Sequence, residues 1–175
     1  FQPHIDYYIF HPLRKRGVRI FHVDAKTDEG VDIVCDLTSR NGDGLAVKIP
    51  PAEVVICASL LEHVEDRDLV LRCVQEIAKP GGVIVITVPY LFRRHCDPID
   101  NLYRPTNKEL EALFPSDRFE PVSSAIIEVE AMPTVIQPSL VWRAINRACR
   151  SFGLEPRPPR VIKNKVSVVA VRRKK

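Results

Sequence analysis

Apolar residues recur along this chain in two rhythms, and between Ala52 and Tyr90 the two alternate in one continuous block. Val54 to Ala58 is a short apolar, β-branched run, too short for a helix, and predicts a strand buried on both faces. Asp66 to Ala78 instead places Leu69, Val70, Val74 and Ile77 three and four apart, the spacing of one helix face. Asp66 and Asp68 fall in its first turn, where the helix dipole favours acids. Pro80-Gly81-Gly82 stops that helix, and Val83 to Val88 predicts a second apolar strand. Two parallel strands joined by a helix form a right-handed crossover. Ligands of such sheets bind beyond the carboxyl ends of the strands. Ser59 to His63 and Pro89 to His95 are therefore expected to line one cleft.

The flanking segments extend this pattern. Ile5, Tyr8, Ile9 and Leu13 give Pro3 to Arg16 a helical spacing, with Pro12 bending the helix and Gly17 closing it. Val18 to Val23 predicts a strand ending in Asp24, Asp32 to Cys35 a strand ending in Asp36, and Asn41-Gly42-Asp43-Gly44 a turn. Beyond Tyr90 come a polar loop, Leu91 to Arg104, and a helix from Asn107 to Leu113, for which Thr106 and Glu109 have the spacing of a capping box. Pro121 to Glu130 and Lys165 to Arg172 read as strands and Ser139 to Phe152 as a helix, apolar on one face and arginine-rich on the other. That helix suits packing on the sheet, with a lid or a basic membrane contact as the alternative. Glu155 to Arg160 is an extended, proline-rich connector.

Composition narrows the class. A length of 175 residues, 45% hydrophobic and 27% charged, predicts one globular domain. Nothing approaches the apolar length that spans a bilayer, and the amino terminus lacks a basic-then-apolar signal, so a cytoplasmic location is the expectation. The five cysteines are scattered, with no Cys-x-x-Cys, and are expected to be reduced core thiols. The net charge of +4 owes much to Arg172-Arg173-Lys174-Lys175, which reads as a solvated tail, or as a weak attraction to anions. No basic strip interleaves with aromatics, so specific nucleic-acid binding is not expected.

Ser59-Leu60-Leu61-Glu62-His63-Val64-Glu65-Asp66, then Lys79-Pro80-Gly81-Gly82, then Ile86-Thr87-Val88-Pro89 together resemble the class I S-adenosylmethionine (SAM) dependent methyltransferases, particularly the small-molecule type called methyltransferase type 11. The resemblance covers roughly Arg19 to Phe114 and reaches the remainder only by topology. It implies an α/β, doubly wound Rossmann-like sheet with an antiparallel final hairpin near Ile126 and Val168, SAM as cofactor, and methyl transfer to an oxygen or nitrogen of a small-molecule acceptor, sugar- or lipid-related members being among the relatives. The family's first strand and its Gly-x-Gly turn should precede the first helix. The sequence starts at Phe1 without them, and the expectation is that the natural protein carries more residues there; a rebuilt or degenerate cofactor site is the alternative.

The resemblance assigns residues by position. Asp24, ending the second family strand, would accept the ribose hydroxyls, although a turn aspartate or a nicotinamide site would look the same. Asp36 and the Leu37 amide would meet the adenine, and Ser59 would border the cofactor; a solvated loop aspartate is the plainer reading of Asp36. His63 and His95 are candidate bases, since imidazole changes charge near neutral pH. In this Leu-Glu-His-Val context His63 equally serves to order the loop. His95 to Thr106 resembles a subgroup signature in which Asp100, Tyr103 and Arg104 would bind the acceptor; a surface loop braced by an Asp100–Arg104 ion pair is the alternative. No paired metal ligands, Ser-His-Asp order or phosphate-cradling glycine loop stands out. Two other classes stay open: a non-catalytic methyltransferase-like module acting with a protein partner or as a homo-oligomer, and a nicotinamide-dependent oxidoreductase, which only Asp24 favours.

Overall fold

The chain is described by a computed structural model that covers residues 5–39, 49–95, 99–135 and 161–175. A helical segment opens it, wide-turned over Asp6–Phe10 and regular in α1, His11–Lys15, with Pro12 in the first turn where its missing N–H costs nothing. Gly17, at φ +79°, ends it. Strands β1 (Val23–Asp24) and β2 (Ile33–Val34) pair in parallel, followed by β3 (Ala52–Ala58), α2 (Arg67–Ile77), β4 (Ala78–Leu91), α3 (Asn107–Glu111), β5 (Phe119–Val135) and β6 (Val161–Arg173). A four-stranded sheet runs in the order β3-β4-β6-β5, parallel between β3 and β4 and antiparallel from there on.

This is the mixed, Rossmann-like α/β sheet expected, and the final antiparallel hairpin falls where it was placed, with Ala125 opposite Val168 and Ile126 opposite Ser167. Helix α2 starts one residue late because Asp66 is its cap, accepting from the Leu69 amide at 3.1 Å. Thr106 and Glu109 form the reciprocal capping box on α3. The core lies between the helices and one sheet face: Val70, Leu71 and Val74 of α2 and Leu110 of α3 pack with Cys57, Ile84, Ile86, Val88, Val169 and Val171. Cys35, Cys57 and Cys73 are buried thiols outside any disulfide, as expected; Cys96 and Cys149 lie outside the described residues. Burial, helped by the nearby Glu62 charge, pushes the Cys57 thiol up to about 12, so it stays protonated and inert.

Several boundaries differ from the sequence pattern. Val18 to His22 is not a strand, because among the described residues the only ladder in this region is the two-residue match of β1 with β2, and Val18 and Phe21 stay exposed. Lys79-Pro80-Gly81-Gly82 is not a turn between elements but an irregular start of β4, where the ladder jumps from Ala52↔Ala78 to Val54↔Val83. Nor is β3 buried on both faces: Val54 and Ile56 are 55% and 49% exposed, and the edge of β3 away from β4 carries no ladder among the described residues. Arg172 and Arg173 belong to β6 rather than to a solvated tail. Arg173 donates to the Ala78 carbonyl at 2.6 Å and the Gln75 carbonyl at 3.3 Å, satisfying orphan acceptors at the end of α2. The helix expected over 139–152, the turn at 41–44 and the connector at 155–160 lie outside the described residues.

Gly82 is where the β4 irregularity is tightest. A methyl group there would stand 2.9 Å from the carbonyl oxygens of Ala52 and Lys79 and 3.2 Å from that of Glu53. Backbone cannot yield as a side-chain end does, so Gly82→Ala is expected to cost about 2 kcal/mol in urea unfolding. Gly81, at φ +80°, supplies the left-handed residue that makes this bend.

Candidate active site

The carboxyl ends of the strands hold two groups of residues. The first begins at β1 and β2. The Asp24 carbonyl accepts from the Cys35 amide at 2.8 Å, tying the two strand ends together. Asp24 and Asp36 are exposed and share one local geometry. Asp24 Oδ1 accepts from the Lys26 amide at 2.9 Å and Asp36 Oδ1 from the Thr38 amide at 2.8 Å, each two residues on. Thr38 also donates its hydroxyl to Asp36 Oδ1 at 2.6 Å, and these bonds hold the Asp36 carboxyl below the usual carboxylate range. The second oxygen of each aspartate is uncommitted among the described residues, and the Leu37 amide has no acceptor among them. Val23, Ile33, Leu37, Ala52 and Val55 pack around Cys35, Ile49 and Ile77, which joins β1 and β2 to β3. Ser59, exposed at the end of β3, sits at φ +49°, a left-handed conformation uncommon outside glycine, with its amide on the Thr87 carbonyl at 2.9 Å.

The second group lies past β3 and β4. A single turn, Leu61–His63, follows β3, and the loop from Phe92 runs on past β4. Asn101 stitches the two together. Its side-chain amide donates to the Val64 carbonyl at 2.7 Å and the Leu61 carbonyl at 3.2 Å, and its backbone amide to the Glu62 carbonyl at 3.0 Å. His63 Nδ1 bonds the Ile99 carbonyl, and the rings of His63 and His95 meet edge to face with centroids 5.0 Å apart.

Asp100 is the buried hub of this loop. Its carboxylate accepts from Arg104 Nη2 at 2.7 Å, the His95 amide at 3.0 Å and the Leu102 amide at 2.9 Å, with His95 Nδ1 3.3 Å away. The Arg104 hydrogen bond, with the two amides assisting against burial, keeps its carboxyl far below the ordinary aspartate value. The Asp100–Arg104 brace is thus present, with Arg104 Nη1 also on the Tyr103 carbonyl. Tyr103 is partly buried, which raises its hydroxyl, and its ring lies 4.3 Å under the Arg67 guanidinium at the start of α2. The loop is pinned at its far end by Ser167 Oγ, which donates to the Pro105 carbonyl at 2.6 Å.

Glu62 is the residue whose environment the sequence hides. It is fully buried, and neither carboxylate oxygen meets a donor in good geometry among the described residues; Arg104 Nε is likewise buried without an acceptor. Burial raises the Glu62 carboxyl, opposed by its own backbone amide and by the charges of His63, His95 and Arg104. Glu62 Oε1 stands 3.8 Å from His63 Nε2.

No protein-family model and no curated protein sequence matches the chain. Among solved structures, the chain is similar to the MccD protein, with 14% identity and a TM-score of 0.48 over 95% of this chain and 84% of that one. It is also similar to a SAM dependent methyltransferase from Archaeoglobus fulgidus (14% identity, TM-score 0.47, 92% and 80% of the two chains). A third is coclaurine N-methyltransferase bound to N-methylheliamine and SAH (14%, 0.43, 97% and 55%). None of these is close enough to transfer an activity.

Proposed function

We propose that this domain binds SAM at the ends of β1, β2 and β3 and directs its methyl group to an oxygen or nitrogen of a small-molecule acceptor. The observation that carries this reading is the matched pair Asp24, the last residue of β1, and Asp36, two residues past the end of its parallel neighbour β2, each anchored through one oxygen and left with a second among the described residues. That arrangement fits the cofactor: the free oxygen of Asp24 suits a ribose diol, while that of Asp36 and the neighbouring Leu37 amide suit the donor and acceptor edge of adenine. Ser59 would border the same groove. When bound, SAM supplies a methyl group on an already activated sulfonium, so the chain has chiefly to align the acceptor and exclude water. With both rings unligated, His63 or His95 would take the acceptor's proton. The loop from His95 to Arg104 would form the acceptor wall, with Tyr103 as its aromatic surface and Asp100 and Arg104 setting its shape. A cytoplasmic small molecule suits this reading, and among the described residues no helix is long and apolar enough to cross a membrane.

A second reading, a methyltransferase-like module that does not catalyse, is favoured by the edge of β3 that carries no ladder among the described residues. Calorimetric titration of the protein with SAM and, separately, with NAD decides between the classes. Saturable SAM binding at one site per chain is expected. Binding of NAD alone would make the domain an oxidoreductase, and binding of neither would leave the non-catalytic module.

A further inference from the structure

We infer that Glu62, His63 and His95 form a binding site for a divalent first-row transition ion, with at least one coordination position open to an oxygen-bearing small molecule. One ligand atom from each of the three lies within 4.8 Å of the others. Ligands about 2.1 Å from a common ion stand about 3.0–3.4 Å apart, so small side-chain rotations close the set. Two imidazoles and one carboxylate are the donor set that suits zinc or iron(II) and leaves positions vacant for a further ligand.

Three features argue for an ion rather than a plain hydrogen-bonded core. Glu62 is a fully buried carboxylate with both oxygens unpartnered, and such a group is costly unless something positive meets it. The separation of 3.8 Å between Glu62 Oε1 and His63 Nε2 is too long for a hydrogen bond, so a proton shared between the two does not account for the pair. Finally, both histidines are oriented from behind. A carbonyl only accepts, so His63 Nδ1 on the Ile99 oxygen must carry the hydrogen, which leaves Nε2 with its lone pair on the Glu62 side. His95 Nδ1 is held by the Arg93 carbonyl at 3.4 Å and stands 3.3 Å from Asp100 Oδ2, a carboxylate of the kind that supports a ligating histidine from behind, so Nε2 is its coordinating atom. Arg104, held by Asp100, offsets part of the negative charge without reaching the ligand atoms in a hydrogen bond.

The acceptor of the proposed methyl transfer would lie against this ion, and in that respect the inference rests on the reading above. Metal binding itself does not, and the experiment separates them. Chelator-treated, tag-free protein is titrated with Zn²⁺ by calorimetry and with Co²⁺ by visible absorption, and SAM is titrated into the same samples. One ion per chain is expected, with cobalt bands of a nitrogen and oxygen site and no thiolate charge-transfer band, since no described cysteine is among the three ligands. Glu62→Gln, which keeps volume, and His95→Ala should each weaken Zn²⁺ at least about 100-fold, and Asp100→Asn, acting through His95, about 10- to 100-fold. Zn²⁺ should raise the melting temperature of the parent but not of Glu62→Gln, a comparison that holds even if the variant is less stable from the outset. Unchanged Zn²⁺ affinity in Glu62→Gln and His95→Ala, or no saturable site in the parent, would overturn the metal site whether or not SAM binds. Loss of SAM binding with metal binding intact would overturn only the methyltransferase reading.

Discussion

Asp100→Asn is expected to lower the stability of the folded protein by about 3 kcal/mol at pH 7. The carboxylate is buried and accepts from Arg104, His95 and Leu102, so the amide that replaces it leaves a partly buried guanidinium without its counter-charge. It also presents an NH₂ group to whichever backbone amide, that of His95 or that of Leu102, donated to the oxygen it replaces. The pH dependence follows from the sign of the shift. The carboxyl of Asp100 is depressed in the folded state, so its contribution is fully present above the unfolded value of about 3.9 and is lost as pH falls toward the folded one. The difference between parent and variant should therefore hold from pH 7 to about pH 5 and shrink below pH 4. Urea unfolding at pH 7, 5 and 3.5 measures it. A difference that did not change with pH would mean that the ionised carboxylate is not what supports the loop.

The sequence discloses those parts of the fold that are written locally. Asp66 at the start of α2, the Thr106–Glu109 box and the apolar runs around Val55 and Ile86 all carry their signals within a few residues, and each appears in the structure where the pattern put it. What the pattern misjudged depends on partners far along the chain. An apolar run at Val18 to Val23 has strand propensity, but a ladder needs a neighbour, and β1 finds one for only two residues. Val54 and Ile56 look like core by composition yet face outward among the described residues. Arg173 reads as part of a charged tail until the β6 ladder carries it to the end of α2.

The candidate site divides in the same way. Asp24 and Asp36 were legible because each closes a short apolar run, and strand ends are where ligands of such sheets sit. The pattern put Glu62, His63 and His95 on loops lining one cleft, but not their close meeting around a buried Glu62, which depends on Asn101, a residue with no chemistry of its own. Its bonds to the turn after β3 bring the loop after β4 against it. A glutamate-histidine pair after one strand and a lone histidine after the next parallel strand was the available signal, and its meaning appears only once those two loops are joined. For the same reason Asp100 and Arg104, which sequence chemistry marks for contact with an acceptor, are spent largely on each other.

Asp24→Ala is expected to weaken SAM binding by about 2–4 kcal/mol, or roughly 30- to 1,000-fold in Kd, while leaving the fold intact. In the proposed contact the two ribose hydroxyls share the one uncommitted oxygen of Asp24, so the total stays below twice that of a single charge-assisted hydrogen bond, about 1.5–3 kcal/mol. The fold should survive because Asp24 is exposed and its described side-chain bond is a local one to the Lys26 amide. Asp24→Asn keeps that turn and one neutral acceptor for a hydroxyl, so its affinity should fall between those of the parent and the alanine variant. Asp28→Ala provides the control for surface charge: Asp28 is exposed in the next turn and its carboxylate accepts only from the Glu29 amide among the described residues, so its removal should leave Kd within a factor of about two. Calorimetry on the three variants, with circular dichroism to verify folding, reads the result directly. Parental affinity in a folded Asp24→Ala would remove the end of β1 from the cofactor groove. A loss matched by Asp28→Ala would mean that SAM, a cation, responds to the general charge of this surface rather than to a ribose contact at Asp24.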